Sequence, residues 1–156
     1  MDPNHREPSP VGIIGGSGLY QLDGIENVEE LNVDTPFGSP SDTIKGGTLQ
    51  GRRVFFLPRH GKGHTIAPHE INHRANIYAL KSLGVQWIVC VTAVGSLKEE
   101  YPPRHIVLPS QYYDRTSQRS DHTFFGNGIV AHVSFADPTN ATLRSIIKSA
   151  CDAEGA

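Results

Sequence analysis

Apolar and polar positions divide the chain into short apolar runs punctuated by glycine and proline. Val11–Gly16 (VGIIGG) is an apolar run ended by glycines, which predicts a buried strand entering a tight loop. Asp34–Ser41 (DTPFGSPS) predicts a turn-rich connector. Thr43–Leu49 and Arg53–Leu57 predict two strands around a Gln50-Gly51 turn, the second running into Pro58-Arg59-His60-Gly61. Pro68 suits the first residue of a helix, Ile71, Ala75, Ala79 and Leu83 recur at every fourth position behind it, and Gly84 supplies a stop. Trp87–Val91 (WIVCV) predicts a continuous apolar strand that leads into Thr92-Ala93-Val94-Gly95-Ser96. Ile106–Pro109 predicts a shorter strand, and Tyr112–Gly128 a polar loop. Asp137–Cys151 predicts a last amphipathic helix with Leu143, Ile146, Ile147 and Ala150 on one side. No internal repeat is evident.

A helix over 68–84 between strands 53–57 and 87–91 makes a strand–helix–strand unit. Such units hold parallel strands, with ligands collected beyond the strand C-termini. Three polar or glycine-tipped loops, 15–18, 59–64 and 92–96, follow strands and converge if those strands are neighbours. The class is therefore α/β.

Composition narrows what these loops can bind. A formal charge of −2 over 156 residues gives no general field for nucleic acid or an anionic membrane, so an anion must be met by a local cluster. Two cysteines, Cys90 and Cys151, are too few for a disulfide framework, and Cys90 lies in an apolar run. Met1–Pro10 is a polar lead, expected to be disordered and without a signal peptide, and no segment is apolar enough to span a bilayer. The expected compartment is the cytoplasm.

Gly15-Gly16-Ser17-Gly18 lets backbone N–H groups turn toward a ligand, with Ser17 adding a hydroxyl; the bland alternative is a glycine turn with a solvated serine. Arg59-His60-Gly61-Lys62-Gly63-His64 puts cations among glycines directly after a strand, where Arg59 can grip an oxyanion bidentately, although a solvated rim has the same spelling. The third loop offers the Thr92 hydroxyl, the Ala93 N–H and Ser96. Together they supply hydroxyls, backbone donors and one fixed positive charge, the set that phosphate demands. His69-Glu70-Ile71-Asn72-His73 competes, since it matches H-E-x-x-H, a zinc-hydrolase spelling when it lies on a helix. A third ligand is missing from the expected spacing. The alternative is a helix start where Glu70 complements the dipole. Asp114-Arg115 and Asp121-His122 read as surface pairs, and Asn140-Ala141-Thr142 as a glycosylation sequon by spelling only.

The ordered set Val11–Leu19, Asp34–Ser41, Arg59-His60-Gly61, His64-Thr65, Asn72–Asn76, Thr92–Leu97, Asp114-Arg115-Thr116 and His132 ahead of Ala136-Asp137-Pro138 resembles 5′-methylthioadenosine phosphorylases and their purine nucleoside phosphorylase relatives. The resemblance runs over nearly all of 11–140. It departs at His73, where the family usually has tyrosine, so the zinc spelling looks accidental. It implies a mixed central sheet flanked by helices, a homotrimer, and a pentosyltransferase of purine salvage with inorganic phosphate and a purine nucleoside as partners. The implied reaction is phosphorolysis of 5′-methylthioadenosine to adenine and 5-methylthioribose 1-phosphate, without metal or organic cofactor. A 6-oxopurine nucleoside phosphorylase and an inactive phosphate-binding remnant are the alternatives. By position, Ser17, Arg59, His60, Thr92 and Ala93 match the family's phosphate site, Thr92 also lying toward the ribose. His132 matches a residue that reaches the 5′ end of the sugar in a neighbouring subunit. The family's purine-holding and base-protonating residues are expected beyond Ala156. Residues 11–156 thus read as the N-terminal part of one phosphorylase domain, in a fragment or a prematurely ended product.

Overall fold

The computed structural model describes residues 8–16, 24–116 and 123–156. They fall into two compact units, Met1–Thr92 and Ala93–Ala156. The first contains strands β1 (Val11–Gly15), β2 (Glu26–Leu31), β3 (Ile44–Leu49) and β4 (Arg52–Pro58), helix α1 (His73–Ser82) and strand β5 (Trp87–Cys90). The second contains helix α2 (Ala141–Glu154).

The five strands form one mixed sheet in the order β2-β3-β4-β1-β5. β4 and β5 both run parallel to β1, Val11 standing opposite Val54 on one side and Trp87 on the other. β3 and β4 are antiparallel, joined at Gln50-Gly51, whose φ values of 48° and 76° are those of a tight hairpin turn. The chain thus leaves β4, passes through α1 and returns on the far side of β1. This leaves three parallel strands ending at one edge.

Apolar side chains from both layers make the core. Ile14, Ile44, Phe55 and Leu57 of the sheet cluster with Ala79, Leu80 and Val85. The helix comes close because Gly12 has no side chain: a Cβ there would lie 3.0 Å from Val85 Cγ1 and 3.2 Å from Leu80 Cδ1.

β2 is an element the hydrophobic pattern does not announce. Its sequence, ENVEEL, shows no apolar alternation, and it forms an exposed edge strand paired antiparallel with β3. Arg53 forms an ion pair with Glu29 of β2 and lies 4.9 Å over the Phe55 ring. Gly46 of β3 leaves room for it, since a Cβ there would meet the Arg53 guanidinium at 2.9 Å.

Helix α1 starts later than the Pro68 signal predicts. Residues 67–70 form a turn in which Glu70 N–H donates to the Ala67 carbonyl at 2.9 Å and the Glu70 carboxylate accepts from Ala67 N–H at 2.9 Å. Asn72 is the N-cap, its Oδ1 accepting from Ala75 N–H at 3.1 Å. Its Nδ2 donates to the Phe37 carbonyl at 2.7 Å, so one amide both starts the helix and ties down the 34–41 connector. The stop at Gly84, with φ of 82°, is where the pattern puts it.

In the second unit, 106–109 forms no strand; Ile106 and Val107 are exposed, and no ladder partner stands beside them among the described residues. α2 begins at Ala141, later than the expected Asp137, and is capped by Asn140, whose Oδ1 accepts from Leu143 N–H at 2.9 Å, so the sequon asparagine serves as a helix cap.

Candidate functional site

The three parallel strands bring their C-terminal ends together by register. Gly15 stands opposite Pro58, and Ile14 opposite Cys90. One step further, Arg59 N–H donates to the Gly15 carbonyl and Val91 N–H to the Ile14 carbonyl, both at 2.9 Å. The exits of β4 and β5 therefore flank the exit of β1, as the loop pattern requires.

Arg59 spans this edge. Its Nε–H donates to His60 Nε2 at 3.2 Å, its Nη1 to the Val91 carbonyl at 3.3 Å and its Nη2 to Thr92 Oγ1 at 2.9 Å. A guanidinium carries five N–H donors. Among the described residues three are engaged, which leaves two to meet a ligand. The three bonds fix the fork's plane, so little side-chain freedom is lost when an oxyanion arrives.

His60 is buried, and its hydrogen bonds assign its tautomer. Nδ1 lies 2.9 Å from the Ile66 carbonyl, which can only accept, so Nδ1 carries the proton. Nε2 then offers its lone pair to the Arg59 Nε–H. Ile66 N–H closes the loop onto the His60 carbonyl at 3.0 Å, and the His64 ring stacks on His60 with centroids 4.3 Å apart. Both ring nitrogens are thus engaged within the loop, and His60 acts here as the orienting partner of Arg59. Cys90, at the end of β5, adds no negative charge. Desolvation of its thiol pushes its pKa up although the residue as a whole is exposed, and the Arg59 guanidinium pulls more weakly the other way.

The loop is also held from the 34–43 segment. Asp42 Oδ1 accepts from Thr43 N–H at 2.7 Å, and Asp42 Oδ2 accepts from Lys62 N–H in a short hydrogen bond. Ser41 N–H donates to Asn76 Oδ1, and Asn76 Nδ2 donates to Ser41 Oγ, both at 2.8 Å. Neither Ser41 nor Asp42 stands out in the sequence, where both merge into a turn-rich stretch. The available signal is an Asx residue two positions before a strand, from which its carboxylate reaches backbone N–H groups.

The described site thus unites Arg59, His60 and Thr92. Ser17 lies outside the described residues, as does the Asp121-His122 pair. Ala93 opens the second unit, and His132 stands in an exposed, irregular stretch of it. Ser96 Oγ is spent on a local turn, donating to the Lys98 carbonyl at 2.8 Å and accepting from Lys98 N–H at 3.2 Å. Asp114 Oδ1 likewise closes a local turn by accepting from Thr116 N–H at 2.8 Å. For His69 and His73 the helical premise fails, because α1 begins at His73 and His69 precedes the turn-bound Glu70. The four-residue spacing that would align two zinc ligands is not helical here.

The family model of the phosphorylase superfamily matches residues 10–156. Over 146 residues the chain is 53% identical to the S-methyl-5′-thioadenosine phosphorylase of Geobacter sulfurreducens, covering 94% of this chain and 51% of that relative. Among solved structures, a methylthioadenosine phosphorylase from an antarctic soil metagenomic library superposes with a TM-score of 0.88 at 50% identity, over 94% of this chain and 51% of that one. The methylthioadenosine phosphorylase of Schistosoma mansoni in complex with adenine gives 0.88 at 40% identity, over 94% and 55%. The chain spans about half the length of the curated relatives it matches.

Proposed function

The chain belongs to the phosphorylase superfamily, and from that premise we propose that it supplies the phosphate side of a 5′-methylthioadenosine phosphorylase. The observation that carries the reading is Arg59, aimed by His60 and Thr92 across the ends of three parallel strands with two N–H donors left for an oxyanion. A fixed guanidinium fork at that edge suits inorganic phosphate. The similarity to phosphorylases of methylthioadenosine supports the second substrate, a 6-aminopurine thionucleoside.

In this reading Arg59 and the N–H of Ala93 hold the charge of phosphate, while Ser17 and Thr92 orient its oxygens. His60 acts on it through Arg59. A phosphate oxygen then forms a bond to C1′ as the C1′–N9 bond breaks. The bonding pair leaves with adenine, which takes up a proton, and 5-methylthioribose 1-phosphate remains. Holding the nucleophile in place supplies up to ~7–11 kcal/mol of the barrier reduction. Residues 11–156 act as the N-terminal part of one phosphorylase domain in a cytoplasmic homotrimer, with His132 reaching the sugar's 5′ end in a neighbouring subunit.

The test uses a completed chain, residues 1–156 fused to the remainder of the Geobacter sulfurreducens relative. Arg59→Ala should raise the KM for phosphate roughly ten- to a hundredfold, the equivalent of a lost charge-assisted contact, and change the KM for 5′-methylthioadenosine far less. Steady-state kinetics with each substrate varied separates the two. Equal losses toward both substrates would sink the assignment.

A further inference from the structure

We propose that Asp42 is a positioning residue for the anion loop, holding 59–64 at the angle from which Arg59 meets phosphate, with Asn76 anchoring it to α1. The proposal rests on the phosphate reading of Arg59 above. It goes beyond that reading because Asp42 and Asn76 act through bonds to the chain itself.

Where the loop leaves β4, its backbone is held to β1 by the bond from Arg59 N–H to the Gly15 carbonyl. The bonds from Gly61 N–H to the Pro58 carbonyl at 3.4 Å and from His64 N–H to the Gly61 carbonyl at 3.1 Å give it shape, and the Arg59 side chain reaches Val91 and Thr92, but none of these joins the loop to the 34–43 connector. Asp42 does. One carboxylate oxygen takes the N–H of Lys62, and the other takes the N–H of Thr43 at the mouth of β3. Both oxygens are therefore spent on backbone donors, one on each side of the junction.

Asp42 is itself anchored. Its neighbour Ser41 is clamped by both ends of the Asn76 amide, and Asn76 is only 2% exposed, on the face of α1 that also buries Ala75 and Ala79. A buried amide bonded through both its oxygen and its nitrogen is a rigid connector. The Ser41 carbonyl also abuts buried Gly61, lying 3.1 Å from where a Cβ would stand. Helix, connector and loop are thus linked in series: Asn76 to Ser41, Asp42 to Lys62, and along the loop to Arg59.

In the completed chain, Asp42→Asn replaces one accepting oxygen with an NH₂ group, which cannot accept from a backbone N–H. The KM for phosphate should rise about tenfold, the factor for a lost hydrogen bond to a charged group, while the KM for 5′-methylthioadenosine stays within about twofold. A readout independent of activity is labelling by an arginine-specific dicarbonyl, followed by peptide mass spectrometry. Arg59 should label several times faster in Asp42→Asn and lose its protection by inorganic phosphate. Arg53, paired with Glu29 on the same sheet, should label as in the parent. Ser41→Ala, one link earlier, should shift the Arg59-to-Arg53 ratio in the same direction if Asp42→Asn folds poorly. An unchanged ratio in both variants, or equal rises in both KM values, would overturn the proposal. A parent without phosphorolysis would instead overturn the functional reading, and the labelling ratio would still decide the role of Asp42.

Discussion

Gly61 sits where the anion loop has least room to change. Its φ of 68° lies in the left-handed region, and the Ser41 carbonyl blocks the space a Cβ would need. Gly61→Ala therefore carries a conformational cost of ~1–2 kcal/mol on top of any displacement of Ser41. Because the strain falls two residues from Arg59, it should appear as a lower Tm together with weaker phosphate binding. Thermal unfolding with and without added phosphate checks this: the parent should gain more in Tm from phosphate than the variant does. At this scale the sequence shows Arg59 plainly, as a cation among glycines after an apolar strand. It does not show that His60 spends both ring nitrogens inside the loop, because the Ile66 carbonyl that fixes its tautomer is an unspecific backbone group. Asp42 is hidden for the same reason, since its partners are backbone N–H groups and leave no trace in residue type.

The interior strands β1 and β4 are legible because burial leaves apolar runs, and β5, half-buried at the other edge, is legible from its apolar run WIVC. The edge strand β2 is not, because exposed positions carry no such constraint and three glutamates discourage pairing at an open edge. The start of α1 shows a second kind of ambiguity. Pro68 fits a helix N-terminus and fits a turn equally well, and the decision falls to Asn72, whose amide has carbonyls to bind 33 to 35 residues earlier. Asn72→Ala should therefore cost more than the ~1 kcal/mol typical of a lost cap, because the 34–41 connector is released with it. Chemical denaturation measures that cost; a value at or below a simple cap would mean the connector bonds contribute nothing. The same helix start bears on the two histidines. With His69 outside α1 and His73 its first residue, His69→Ala and His73→Ala should leave phosphorolysis by the completed chain largely intact, and purified protein should carry no stoichiometric zinc. Chelator-sensitive activity with one zinc per chain by elemental analysis would restore the hydrolase reading.

Across the whole molecule, apolar surface is unevenly satisfied. The first unit has a closed core, whereas the second exposes Leu97, Val130 and Val133 at 102%, 81% and 79%, and α2 buries none of its residues. Exposed apolar groups on this scale mark surfaces that bind something, and in isolation they promote association. The relatives carry about as much chain again, and phosphorolysis needs a grip on the purine as well as on phosphate. Residues 1–156 expressed by themselves should therefore self-associate and release no adenine from 5′-methylthioadenosine and phosphate. Size-exclusion chromatography followed by that assay is the measurement. A discrete soluble species that releases adenine would show that the base is held and protonated by residues within 1–156. A soluble, inactive species that still binds phosphate would support a phosphate-binding remnant, with the Arg59 site intact and no second substrate to act on.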